Sequence, residues 1–167
     1  MRLRRRAVRE GIMAGLIGAS SVAFWFFLVD IVAGRPFFTP AVLGSAVFWG
    51  LRDPATVIIG FETVGAYTAI HLLAFVIVGT IASALFSEAE KDPGILWLLI
   101  EFFVAFEFGF HATVALAFTP LLAELAWINI AVGNLIAAAG MGYYFWRVQP
   151  VLRRGLDQKP LDSGSIL

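Results

Sequence analysis

Apolar residues in this chain gather into long runs, and the polar residues fall in short clusters between them. A run of about 20 apolar residues, each rising about 1.5 Å, crosses the roughly 30 Å hydrocarbon core of a bilayer as one helix. Four dipeptides punctuate the runs: Thr39-Pro40, Asp53-Pro54, Asp92-Pro93 and Thr119-Pro120. Each puts an oxygen-bearing side chain suited to an N-cap ahead of a proline suited to the first helical position. The pattern predicts transmembrane helices over 11–33, 54–86, 93–118 and 120–147, a short helix over 40–50 and a polar tail over 150–167. Residues 1–149 are expected to form one domain, an all-α integral membrane protein built as a four-transmembrane-helix bundle.

The short helix spans about 15 Å, half a bilayer, and reads as interfacial or re-entrant between the first two spans. Gly50 closes it, and Arg35 and Arg52 bracket it at headgroup level. The next run, from Pro54 to Phe86, would make a helix of roughly 50 Å, so a break is expected at Gly60 or Gly65, with 64–86 crossing. Gly11, Gly15, Ala19 and Ala23 recur at every fourth position of the first span, and Gly133, Ala137, Ala138 and Gly142 stud the last. Small residues of this kind let helix backbones approach closely in lipid. Asp30, near the end of the first span, is read as an interfacial acid that reaches water.

Composition supports lipid as the solvent. Of the 167 residues, 60% are hydrophobic and only 14% charged, and the mean hydropathy is +0.86, more apolar than a soluble core can hide. The formal net charge of zero conceals an asymmetry. With both termini cytoplasmic, ten of the twelve Lys and Arg residues lie on that side and only Arg35 and Arg52 lie outside. Tyr143, Tyr144 and Trp146 followed by Arg147 form an aromatic belt at the inner interface. A bacterial inner membrane fits this arrangement. No basic face of the kind that binds nucleic acid is present. The first apolar stretch exceeds a signal-peptide core and reads as a retained span. The absence of cysteine limits any metal site to imidazole, carboxylate or carbonyl ligands.

Candidate chemistry centres on FFVAFEFGFHATV (102–114), where Glu107 and His111 stand four residues apart on one helical face. Ionisable groups at membrane depth are expensive and mark a site. Counting about 1.5 Å per residue puts His71, His111 and Asn129 in one layer, roughly 10–14 Å below the outer surface. Glu107 falls one turn deeper, Glu62 and Glu124 lie above, and Glu101 and Asn134 lie further down. Three uses of this polar layer stay open. It can lock the helices together through hydrogen bonds. His71, Glu107 and His111 can hold a divalent metal or haem, although Glu-x-x-x-His departs from the Glu-x-x-His of di-iron bundles. Glu62, Glu124, His71, His111 and Glu107 can form a proton or ion path, with Glu101 turned about 120° from the Glu107 face.

No hydrolase triad or phosphate-cradling loop accompanies these residues, so an enzymatic role is left undecided. The expected role is that of a small polytopic protein acting through intramembrane helix contacts, as an accessory or assembly subunit. Its partners are lipid and other membrane helices, in a homo- or hetero-oligomer. The phenylalanine-rich third helix suits a partner helix, a quinone or a pigment as well as lipid.

Overall fold

The computed structural model describes residues 2–89, 92–95, 97–98, 101–105, 108–109, 112 and 120–149, and for 2–5, 93 and 120–126 it describes the backbone alone. Every regular element among the described residues is helical. The principal helices are α1 (Arg2–Val32), α2 (Phe38–Trp49), α3 (Phe61–Ala89) and α4 (Pro120–Val148). Three stretches within them, Arg6–Val32, Phe61–Ala89 and Trp127–Val148, are long and apolar enough to cross a membrane. Between α3 and α4, residues 97–98, 101–105, 108–109 and 112 are also helical.

Helix boundaries differ from the pattern where local chemistry decides them. α1 begins at Arg2 because the arginine-rich start contains good helix formers and no breaker. Its end is a tight turn: Gly34 takes φ 70°, and the Arg35 amide reaches back 2.9 Å to the Asp30 carbonyl. Thr39 does not cap α2 as its dipeptide suggested. The helix starts two residues earlier, at Phe38 behind Phe37 at φ 65°, and Thr39 sits inside the first turn. Gly50, at φ 67°, closes α2 while the Leu51 amide bonds the Ser45 carbonyl at 3.2 Å.

Asp53 does accept the Ala55 amide at 3.0 Å, but Pro54 opens only a single 3₁₀ turn, Pro54–Thr56. The β-branched run Val57-Ile58-Ile59 resists helix, and Val57 is extended. The break therefore falls at Gly60 rather than Gly65. There the Gly60 amide donates to the Thr63 hydroxyl at 3.2 Å, half of a capping box, and α3 restarts at Phe61.

α1 is the hub, packed antiparallel against both α3 and α4. Its register with α3 runs from Gly11 beside Thr80, through Gly15 beside Val76, to Ala19 beside His71. A Cβ on Gly11, Gly15 or Gly79 would run into the facing backbone, so this crossing exists only because the contact residues are glycines. The four-residue ridge is used at Gly11, Gly15 and Ala19, whereas Ala23 is exposed. Against α4 the register runs from Glu10 beside Gln149, through Ser21 beside Gly140, to Trp25 beside Asn129. On α4, Gly133 and Ala137 are buried in that contact, while Gly142 has nothing within 4 Å. α3 and α4 consequently run parallel: Phe75 clusters with Ala137, and the Phe86 ring packs tilted against Phe145 at 4.8 Å.

The buried set is small and the exposed set is large. Ala14, Ala19, Ala82 and Ala137 lie in the core. Phe24 (63% exposed), Ile128 (72%) and Leu135 (68%) face outward. Phe75, Phe86, Ile130 and Phe145 are buried with the alanines, yet the large apolar side chains left outside outnumber them, more than a protein folded in water ordinarily exposes.

Candidate functional site

The polar groups that the helices position fall into three places. The first is the junction of α1 and α2. Asp30, only 3% exposed, accepts the Thr39 amide at 2.8 Å on Oδ2 and the Thr39 hydroxyl at 2.6 Å on Oδ1. The expectation that Asp30 reaches water is thus overturned. The Gly34 turn folds α2 back so that its unbonded first-turn donors meet the carboxylate, which serves as a cap supplied from the preceding helix.

The second place is a cavity of about 270 Å³ between α1, the start of α2 and α3. His71 and Tyr67 of α3 line it opposite Ala19 and Phe26 of α1, and Phe37 and Thr39 close one side. The imidazole is fixed on three sides. Its Nε2 lies 3.2 Å from the Ala19 carbonyl, Tyr67 stacks on it at 5.4 Å, and Phe75 packs against it at 4.8 Å. A carbonyl can only accept, so Nε2 carries the hydrogen and Nδ1 is the acceptor of the neutral ring.

The third place is the end of the bundle where α1 starts and α4 finishes. Glu10, 4% exposed, takes an ion pair from Arg6 at 2.7 Å and a hydrogen bond from Gln149 Nε2 at 2.7 Å. Arg6 also donates to the Val148 carbonyl at 2.9 Å. Sequence reasoning took this end as a basic terminus and missed the acid that ties the two helices together. The one available signal was Glu10 placed four residues after Arg6.

The predicted polar layer is distributed as follows. His71 faces α1. The Asn129 carbonyl accepts Trp25 Nε1 at 2.9 Å, six residues further along α1 than Ala19, which separates it from His71 by about 9 Å of helix rise. Asn134 lines a second cavity, of about 190 Å³, whose walls include Phe75, Phe86, Phe102 and Phe145. Glu62 is exposed in the first turn of α3, and Glu101 is exposed on its helical segment. Glu107 and His111 lie outside the described residues, as does the side chain of Glu124. Among the described residues no group of three or more His, Asp or Glu gathers as a metal site would need. Arg147 donates to the Tyr143 hydroxyl from Nε at 3.0 Å and from its terminal nitrogen at 2.7 Å, binding the aromatic belt to its arginine.

Comparison with known protein families, with curated proteins and with solved structures gives no match.

Proposed function

We propose that this chain is a small polytopic membrane protein that works through helix contacts inside the bilayer, as an accessory or assembly subunit in a homo- or hetero-oligomer. The observation that carries the reading is the large set of exposed apolar side chains around helix contacts made close by small residues. In lipid, burying a large apolar side chain gains little, so helices associate where small residues allow close approach. The outward residues then meet lipid or another helix, and Phe103 and Phe108 on the segment before α4 are among them. The polar groups already in place support the same reading, since Asp30, Glu10 and His71 each make a bond that joins two helices. The bilayer in question is the bacterial inner membrane, with both termini cytoplasmic.

Native mass spectrometry of the full chain extracted in mild detergent tests this role. Particles containing more than one chain, or this chain with a fixed partner, are expected. A uniform particle holding a single 18.2 kDa chain and no other protein would sink the proposal.

A second reading keeps His71, Glu107 and His111 as a divalent-metal or haem site. What favours it is the His71 Nε2–H bond to a backbone carbonyl, the contact that orients metal-bound imidazoles and frees the other nitrogen. Elemental analysis with an optical spectrum, wild type beside His111→Ala, decides it. One metal per chain or a Soret band, lost in the variant, supports the site; colourless, metal-free protein removes it.

A further inference from the structure

The cavity around His71 has features that a packing void does not need. Engineered apolar cavities of about 150 Å³ admit benzene, so a space of about 270 Å³ holds a substituted ring. Its walls are aromatic, with Phe26, Phe27 and Phe37 on one side and the stacked rings of Tyr67 and His71 on the other. Two side chains with complementary polar functions line the same space. His71 Nδ1 is an acceptor once Nε2 has donated to Ala19. Tyr67 brings an O–H for which no hydrogen-bond partner occurs among the described residues.

A separate observation concerns the backbone. Phe37 holds φ 65°, ψ 14°, a left-handed conformation that a bulky residue adopts only when its surroundings impose it. The Asp30 carboxylate gripping Thr39 and the Phe27–Phe37 ring contact at 5.0 Å are those surroundings, and they set the Phe37 ring into the cavity wall. Strained residues that line a cavity are characteristic of ligand sites.

We infer that this cavity binds a lipid-soluble hydroxyaromatic ring, a phenol or a quinol, between α1 and α3. The ring hydroxyl donates to His71 Nδ1 and its oxygen accepts from the Tyr67 O–H, while the aromatic walls enclose the carbon face. One aromatic hydroxyl satisfies both protein groups at once, which neither a hydrocarbon nor a lipid acyl chain does. His71 lies ten residues inside α3, about 15 Å from its start, so the ligand enters from the bilayer. The inference rests on the chain being membrane-embedded and is independent of its oligomeric role.

The test is calorimetric titration of the full chain in lipid nanodiscs with duroquinol, held reduced under argon and with EDTA present so that no metal at His71 contributes. Empty nanodiscs give the partitioning background. Durene, the same tetramethylated ring without hydroxyls, is the comparison ligand. We expect saturable binding of one duroquinol per chain and about tenfold weaker binding of durene. Tyr67→Phe, which deletes one oxygen, is expected to weaken duroquinol about tenfold and leave durene unchanged. Ala23 lines the cavity from α1, so Ala23→Phe fills the space and is expected to abolish both. Equal affinity for the two ligands, or duroquinol binding unaltered in Tyr67→Phe, overturns the hydrogen-bonding assignment and points to an acyl chain in an apolar void. Absence of saturable binding, or binding retained in a folded Ala23→Phe, overturns the site itself. Should Ala23→Phe fail to fold, the Tyr67→Phe comparison still decides.

Discussion

Asp30 is the residue whose surroundings differ most from what its position in the chain implies. A carboxylate near the end of an apolar helix is ordinarily a water-facing anchor, and nothing local in the sequence points elsewhere. Its partner Thr39 is nine residues away, across a turn made possible by Gly34. Thr39 in turn precedes a proline, the usual context for a cap, so local propensity named the right neighbourhood and the wrong donor–acceptor pair. Removing the carboxylate strands an amide and a hydroxyl inside the fold, so Asp30→Ala is expected to cost about 2–3 kcal/mol and Thr39→Val about 1 kcal/mol. In a double-mutant cycle the two should be strongly non-additive, by about 1 kcal/mol or more, when unfolding is followed in mixed micelles of increasing denaturing detergent. Additivity would mean that the two side chains do not share a bond. The Glu10 contact allows a contrast at the other end of the bundle. Arg6 has its side chain half exposed and Glu10 does not. Arg6→Ala should therefore change stability by less than about 1 kcal/mol, and Glu10→Ala, which leaves Gln149 unpaired, by about 2 kcal/mol or more. Equal effects would show that the pair behaves as a surface ion pair.

At the level of helices, the apolar runs were readable because lipid imposes a length that few soluble helices need. Rotation was not readable. α3 is apolar nearly all round, so counting residues gave the height of His71 without the face it presents, and the ring proves to look toward Ala19 of α1. The small-residue ridge carried the missing information, because Gly11, Gly15 and Ala19 mark the face of α1 that α3 meets. That ridge makes a prediction which separates glycines by their contacts. A side chain at Gly15 would strike the backbone at Phe75 and Val76, which cannot yield as a flexible side chain could. Gly15→Leu is expected to cost about 3 kcal/mol or to prevent folding, at or beyond the upper end for overpacked cores. Gly142→Leu, with nothing within 4 Å, is expected to stay within about 0.5 kcal/mol. The same detergent titration reads both, and similar losses at the two positions would contradict the register of α1 and α3.

For the whole molecule, the strongest constraint comes from direction rather than from any residue. α3 and α4 are parallel neighbours, so the chain leaving Ala89 must climb back to the opposite end before Pro120 can begin α4. α3 has 29 residues and a length of about 43 Å, which is the distance the chain has to regain. Phe102 and Phe103, in the helical stretch 101–105, line the cavity between α3 and α4. The proposed topology adds a fourth crossing to the three apolar helices, with both termini on one side. Sequence periodicity could count the apolar runs but could not supply the parallel pairing, which depends on contacts between distant segments. The chain has no cysteine, so single cysteines introduced into it report their side of the membrane without background. With four crossings, a membrane-impermeant maleimide added to intact cells should label Arg52→Cys and leave Lys91→Cys and Lys159→Cys unlabelled until the membrane is opened. Labelling of both Arg52→Cys and Lys159→Cys in intact cells would require an odd number of crossings. It would also put the arginine-rich start and the end of α4 on opposite sides, contradicting the Glu10–Gln149 bond that holds them together.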